Sequence, residues 1–155
     1  MARLQKQSSF RYLLNGLLLA LPVYFIYRAL NPAFPPVMPE ISAGDFVLTA
    51  MPYDEEAPYQ HDGLFVKDFL VMFQKGKVSD VRMGYLNIGE APLSLEAARE
   101  QELGILHGTR HGQHVHGLAS AEIKPGDQVW ITLQTWDGKI HQGAWRVPSY
   151  LLSDV

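Results

Sequence analysis

The sequence predicts a mainly β protein: an N-terminal transmembrane helix followed by a small antiparallel β-sandwich that carries one short helix. Three observations lead there. The run YLLNGLLLALPVYFIY, Tyr12 to Tyr27, is uncharged and bracketed by Arg11 and Arg28. The stretch NPAFPPVMP, Asn31 to Pro39, holds four prolines in nine residues. From Glu40 onward, short runs of β-branched and aromatic residues are punctuated by glycine and proline. At 155 residues, 47% of them apolar and 19% charged, the chain has room for one ordinary domain and an appendage. The expected divisions are an N-terminus and anchor over 1–30, a spacer over 31–39 and a β-domain over 40–155.

At about 1.5 Å rise per residue the uncharged run covers roughly 24 Å as a helix, and its flanking arginines can snorkel to lengthen it. Tyr24, Phe25 and Tyr27 cluster where a span meets headgroups. A cleaved secretory signal shares the basic start and apolar middle, but needs small residues one and three positions before the cut. Cleavage after Ala29 or Ala33 would place Tyr27 or Asn31 at the outer of these positions, so an uncleaved signal anchor fits better. Basic residues precede the span, which predicts a cytoplasmic N-terminus and a single-pass protein of a bacterial inner membrane with its domain in the periplasm. The proline-rich stretch then favours polyproline II at about 3.1 Å per residue, a stiff spacer of roughly 28 Å.

In the domain, strands are expected at Asp45 to Met51, Leu64 to Phe73 and Val78 to Ile88, with a hairpin signal at QKGK between the last two. Ser94 reads as the N-cap of a helix from Leu95 to Leu103, stopped by Gly104. A strand around Gln113 to Ile123, a KPGD turn and a hairpin closed by Asp137 and Gly138 follow. Read as a two-residue loop, that Asp-Gly pair sets Trp130 opposite Trp145 and Ile131 opposite Ala144. Val129, Ile131, Leu133, Ile140 and Ala144 would then form a core face. Trp130, Gln134, His141 and Trp145 would form the other face, where the two tryptophans pair across the strands and stiffen the hairpin or, as the alternative, offer an aromatic surface to a partner.

Charge and composition exclude several functions. Thirteen basic side chains face sixteen acidic ones, and four of the basic ones (Arg3, Lys6, Arg11 and Arg28) lie in the first 28 residues, which contain no acid. The remaining nine against sixteen leave 29–155 at a formal charge of −7, which argues against a nucleic-acid partner. No cysteine is present, so disulfides, thiolate metal sites and cysteine nucleophiles are excluded. Nucleophile elbow, phosphate loop and paired-acid spacing are missing as well, so an enzyme is not expected, and only a metal-assisted reaction at the histidines would remain.

The chemistry-bearing segment is HGTRHGQHVHG, which holds four of the six histidines: His107, His111, His114 and His116. On a strand, residues two apart share a face at about 6.5 Å, so His114 and His116 project together while Val115 turns inward. Two imidazole nitrogens so placed can converge on one ion at about 2.0 to 2.1 Å. His111 and His107 are further expected ligands, and His141 and His61 additional ones. Thioether with imidazole favours copper, and three imidazoles suit zinc, copper or iron. Asp62 and Glu122 add attraction for a cation, and Arg110 opposes it.

The stretch GQHVHGLASAEIKPGDQVWITLQTWDGK, Gly112 to Lys139, resembles periplasmic copper chaperones of the PCuAC type, in which a glycine-preceded H-x-M is followed by a PGD-like turn and a strand ending in DGK. The likeness covers about a fifth of the chain. It implies an Ig/cupredoxin-like sandwich, copper rather than zinc or iron, and a role in metal delivery. His114 and His116 occupy the motif, with histidine where the family has methionine. His61 and Met72 keep the spacing of the family's first His/Met pair, although the interval from Met72 to His114 is longer than in that family. Gly108, His114 and His116 also resemble the start of a cupin motif, with Glu122 placed late for it. The function expected is a membrane-anchored accessory that binds a transition metal for acquisition or delivery beside a membrane-protein partner. The alternative is a non-metal assembly subunit that docks through Trp130 and Trp145.

Overall fold

The structure, a computed structural model, describes residues 2–100 and 104–152, with side chains from Phe10 onward. The chain divides into two compact units, Met1–Ala33 and Phe34–Val155. The first is a helix, α1 (Ala2–Leu30), whose segment Phe10–Leu30 has a mean hydropathy of 1.6. Its 21 residues cover about 31 Å, long and apolar enough to cross a membrane. Pro22 lies inside α1 and removes one N–H from the ladder, which membrane-spanning helices tolerate.

The second unit is mainly β, with one short helix. Its strands are β1 (Ile41–Ala43), β2 (Phe46–Pro52), β3 (Tyr59–His61), β4 (Leu64–Lys75) and β5 (Val81–Gly89). Helix α2 (Leu95–Glu100) follows, then β6 (His107–Thr109), β7 (Gly112–Leu118), β8 (Gln128–Thr135) and β9 (Ile140–Arg146). They form one mixed sheet in the order β1-β2-β4-β7-β5-β8-β9, with β3 added to β4 and β6 to β7. The pairing of β7 with β5 is parallel and the others are antiparallel. Because β1 returns to β9, the sheet is nearly closed, and the two layers of a sandwich are opposite walls of it. Leu48, Phe69, Val115, Ile131, Leu133 and Trp145 fill the inside.

Several local expectations change in the fold. Pro35 and Met38 of the proline-rich stretch are buried, and the Met38 N–H donates to the Ala50 carbonyl at 2.7 Å. Its second half is therefore part of the domain, because an apolar Met38 gains more from the core than from water. QKGK turns the chain at Gly76 (φ +88°) but closes no hairpin, since β4 and β5 are separated by β7. Val78–Asp80 forms a 3₁₀ turn there. Ser94 caps α2 as expected, its Oγ accepting the Ala97 N–H at 3.1 Å. The last part of the expected helix, 101–103, lies outside the described residues.

The hairpin of β8 and β9 is shifted by one residue from the expected register. The Thr135 N–H donates to the Lys139 carbonyl at 3.0 Å, leaving a three-residue loop, Trp136 to Gly138, with Gly138 in the left-handed region at φ +86°. Val129 therefore opposes Trp145, and Trp130 opposes Ala144. Since faces alternate residue by residue, the shift carries Trp145 into the core, where it is 2% exposed, and moves Ile140 and Ala144 off the core face. The Trp145 Nε1–H donates to the Pro39 carbonyl at 2.8 Å. Trp130 lies on the opposite face, donating to the Gly89 carbonyl at 3.1 Å. The expected two-tryptophan docking surface does not form.

Candidate metal centre

Strand β7 is an interior strand held along its length by β4, and its burial alternates as a period of two requires. Gln113 and Val115 point inward, while His114 and His116 point outward and are about a quarter exposed. Directly across the ladder, Leu70 faces His114 and Asp68 faces His116. The pairing of His116 with Asp68 therefore follows from register and needs no loop. Gly117, opposite Lys67, lets the backbone lie close to the core: a Cβ there would meet Leu86 Cδ2 at 2.3 Å.

Asp68 Oδ1 lies 2.5 Å from His116 Nδ1 and 3.8 Å from His114 Nε2. Ligand atoms of Asp68, His114 and His116 all fall within 4.8 Å of one another. Tyr59, on β3, donates its hydroxyl to Asp68 Oδ2 at 3.1 Å and lies 3.3 Å from His116 Nδ1. Burial, together with the neighbouring charge of Asp68, pushes the Tyr59 phenol above its ordinary pKa, so it stays a donor at neutral pH. Burial is also the main cause that lowers the His114 imidazole, and a charged His116 or His107 beside it would add to this, against the opposing pull of Asp68. A neutral imidazole is the form that binds a metal.

The other expected ligands separate into two groups. His107, opposite His114 on the hairpin of β6 and β7, brings Nε2 to 3.0 Å from His114 Nδ1. His61 stacks on His116 with ring centroids 5.0 Å apart and planes at 21°. An Asp62–Gly63 turn with both residues at positive φ closes the hairpin of β3 and β4 and fixes that position. His111 sits at the tip of the hairpin of β6 and β7, its Nε2 accepting from Arg110 Nε at 3.1 Å. His141 packs against Phe46 and Gly44, in a cleft of about 330 Å³ that Asp45 and Trp136 also line. Neither His111 nor His141 belongs to the triad.

Three contributors escaped the sequence reading. Tyr53, whose ring lies 5.2 Å from His114, and Tyr59 flank an acidic loop that carries no motif. Asp68 did carry a signal: Lys67 and Asp68 interrupt the apolar run LFVKDFLVMF, and adjacent charges in such a strand need partners on both faces. Lys67 finds Asp54 inside and Asp68 finds His116 outside. Lys67 is only 2% exposed. Burial raises the Asp54 carboxyl, but the Lys67 hydrogen bond, the Glu56 N–H and the lysine's charge outweigh it and hold the group below the usual carboxylate value.

Comparison with known proteins adds one match. The model of a family described as uncharacterised conserved protein UCP029505 aligns with residues 7–148, nearly the whole chain. No curated protein and no solved structure matches. The family match shows no relationship to the copper chaperones.

Proposed function

The chain belongs to the UCP029505 family, and from that premise we propose that it is a single-pass protein of a bacterial inner membrane whose exported β-domain binds a divalent transition metal. Asp68, His114 and His116 hold the ion. The protein serves as an accessory in metal acquisition or delivery and performs no catalysis of its own. One observation carries this reading: a carboxylate and two imidazoles on the facing strands β4 and β7, with ligand atoms within 4.8 Å.

Backbone hydrogen bonds fix the positions of these donors, so binding an ion orders little that is not already ordered. An incoming cation takes the place of the proton shared by Asp68 and His116. Two imidazoles and a carboxylate suit Zn(II), Cu(II) or Fe(II), and the general affinity order places Cu(II) highest. Imidazole and carboxylate ligands suit Cu(II) more than Cu(I), which prefers softer donors. Helix α1 keeps the domain at the membrane, where a transporter or metalloenzyme can receive the ion.

Calorimetric titration of the full chain in detergent with Cu(II), Zn(II) and Fe(II) tests the proposal. A single bound ion is expected, lost when His114 and His116 are both replaced by alanine. Unchanged affinity in that double variant would refute it.

A further inference from the structure

Around the triad, the hydrogen bonds of His107 carry information that the ligand distances do not. Its Nδ1 lies 3.1 Å from the Ile105 carbonyl. A carbonyl only accepts, so the hydrogen between them sits on His107 Nδ1. In a neutral imidazole the other nitrogen, Nε2, then carries a lone pair. That lone pair is 3.0 Å from His114 Nδ1, and two facing lone pairs would repel. His114 Nδ1 must therefore carry its own hydrogen and donate it to His107. What remains is the lone pair on His114 Nε2, the nitrogen on the side of Asp68.

The end of this chain is firmly held. Ile105 bridges to Tyr85, and the Leu106 N–H donates to the Gly84 carbonyl at 2.9 Å, so β5 fixes the carbonyl from which the sequence of donors starts. His107 Nε2 is turned to His114, and His107 is not among the residues whose ligand atoms gather.

We propose that His107 is a positioning residue and not a metal ligand: through the chain Ile105 C=O, His107, His114, it holds His114 in the Nδ1–H tautomer and presents Nε2 to the ion. The inference rests on the metal reading above, but its first consequence is visible without metal. The hydrogen bond makes His114 a better donor and stops its ring from turning, the role outer-sphere partners play for ligating histidines.

Long-range ¹H–¹⁵N spectra of the metal-free full chain in detergent micelles at pH 7.5 read the tautomer directly. The Nδ1–H form of His114 is expected in the wild type and in His107→Gln, whose amide oxygen can accept the same hydrogen. In His107→Leu, a mixture with the Nε2–H form is expected. On titration with Zn(II), His107→Leu should bind about 10- to 100-fold more weakly, with His107→Gln recovering most of the loss. The nitrogen hyperfine pattern of the Cu(II) form should be the same in all three. A wild-type His114 in the Nε2–H form, unchanged zinc affinity in His107→Leu, or one imidazole fewer on copper in that variant would each overturn the inference. The last outcome would make His107 a ligand and leave the metal reading standing. A wild type that has the Nδ1–H form and binds no metal would instead overturn the metal reading and confine His107 to fixing the tautomer.

Discussion

Asp68 and Lys67 are neighbours in sequence that point to opposite sides of one strand, and each needs a counter-charge where it emerges. On the outer side the partner is His116, and the pair is the nucleus of the proposed metal centre. On the inner side it is Asp54, and the pair is structural. Because the native Asp54 carboxyl titrates below its unfolded value of 3.8, the unfolded chain takes up that proton first. The stabilisation is complete above about pH 3.8 and disappears as pH falls through the lower native value. Asp54→Asn should lower stability at pH 7 by roughly 1 to 3 kcal/mol, because it leaves the buried Lys67 ammonium without a counter-charge, while the amide oxygen and water at this half-exposed position offset part of that loss. Chemical denaturation of both proteins at pH 7 and pH 3 checks this, with a smaller difference expected at the acid value. Replacing both partners, Lys67→Met together with Asp54→Asn, removes the buried charge without leaving its partner unpaired and should recover most of that loss at pH 7.

At the scale of elements, two Asp-Gly turns show what local sequence can and cannot decide. Asp62–Gly63 closes a two-residue loop, with both residues at positive φ. Asp137–Gly138 looks the same in sequence, yet Trp136 joins its loop, donating its indole N–H to the Ser79 carbonyl at 3.0 Å, while the Asp137 carboxylate accepts from Thr135 Oγ1 at 2.5 Å. Those contacts come from the surrounding fold and outvote the dipeptide's own preference. One residue of slip then exchanged the faces of β9, and a two-tryptophan surface read from the strand became one core residue and one on the opposite face. Gly138 is the only residue of that loop with positive φ. Gly138→Ala should cost about 1 kcal/mol by thermal unfolding, through backbone strain alone, since a Cβ there meets nothing within 4 Å. The alternation of β7, by contrast, was legible at once, because an interior strand with His-Val-His leaves its valine one direction to go. Asp68 could not be assigned to that histidine pair, because nothing in the sequence fixes the register of β4 on β7.

For the whole molecule, the apolar first unit and the β-rich second one were both readable from composition and periodicity. The order of strands was not, since β7 enters between β4 and β5 and interrupts a hairpin that QKGK suggested. Long-range pairing of this kind is decided by which faces must be buried together, not by a turn. With α1 in a bilayer, as proposed, Leu18→Arg, a charge near the middle of the span, should cost roughly 2.5 to 3.5 kcal/mol of insertion and move the protein from the carbonate-resistant membrane fraction toward the soluble one. Retention of that variant in the membrane pellet would put the anchor elsewhere.

In the proposed centre, Asp68, His114 and His116 supply the atoms that touch the ion. X-ray absorption spectroscopy of the zinc-loaded full chain examines those atoms directly. The expected first shell contains two imidazole nitrogens at about 2.0 to 2.1 Å and at least one oxygen, with one imidazole lost in His116→Ala. A shell without imidazole, or the same two-imidazole shell in His116→Ala, would contradict it.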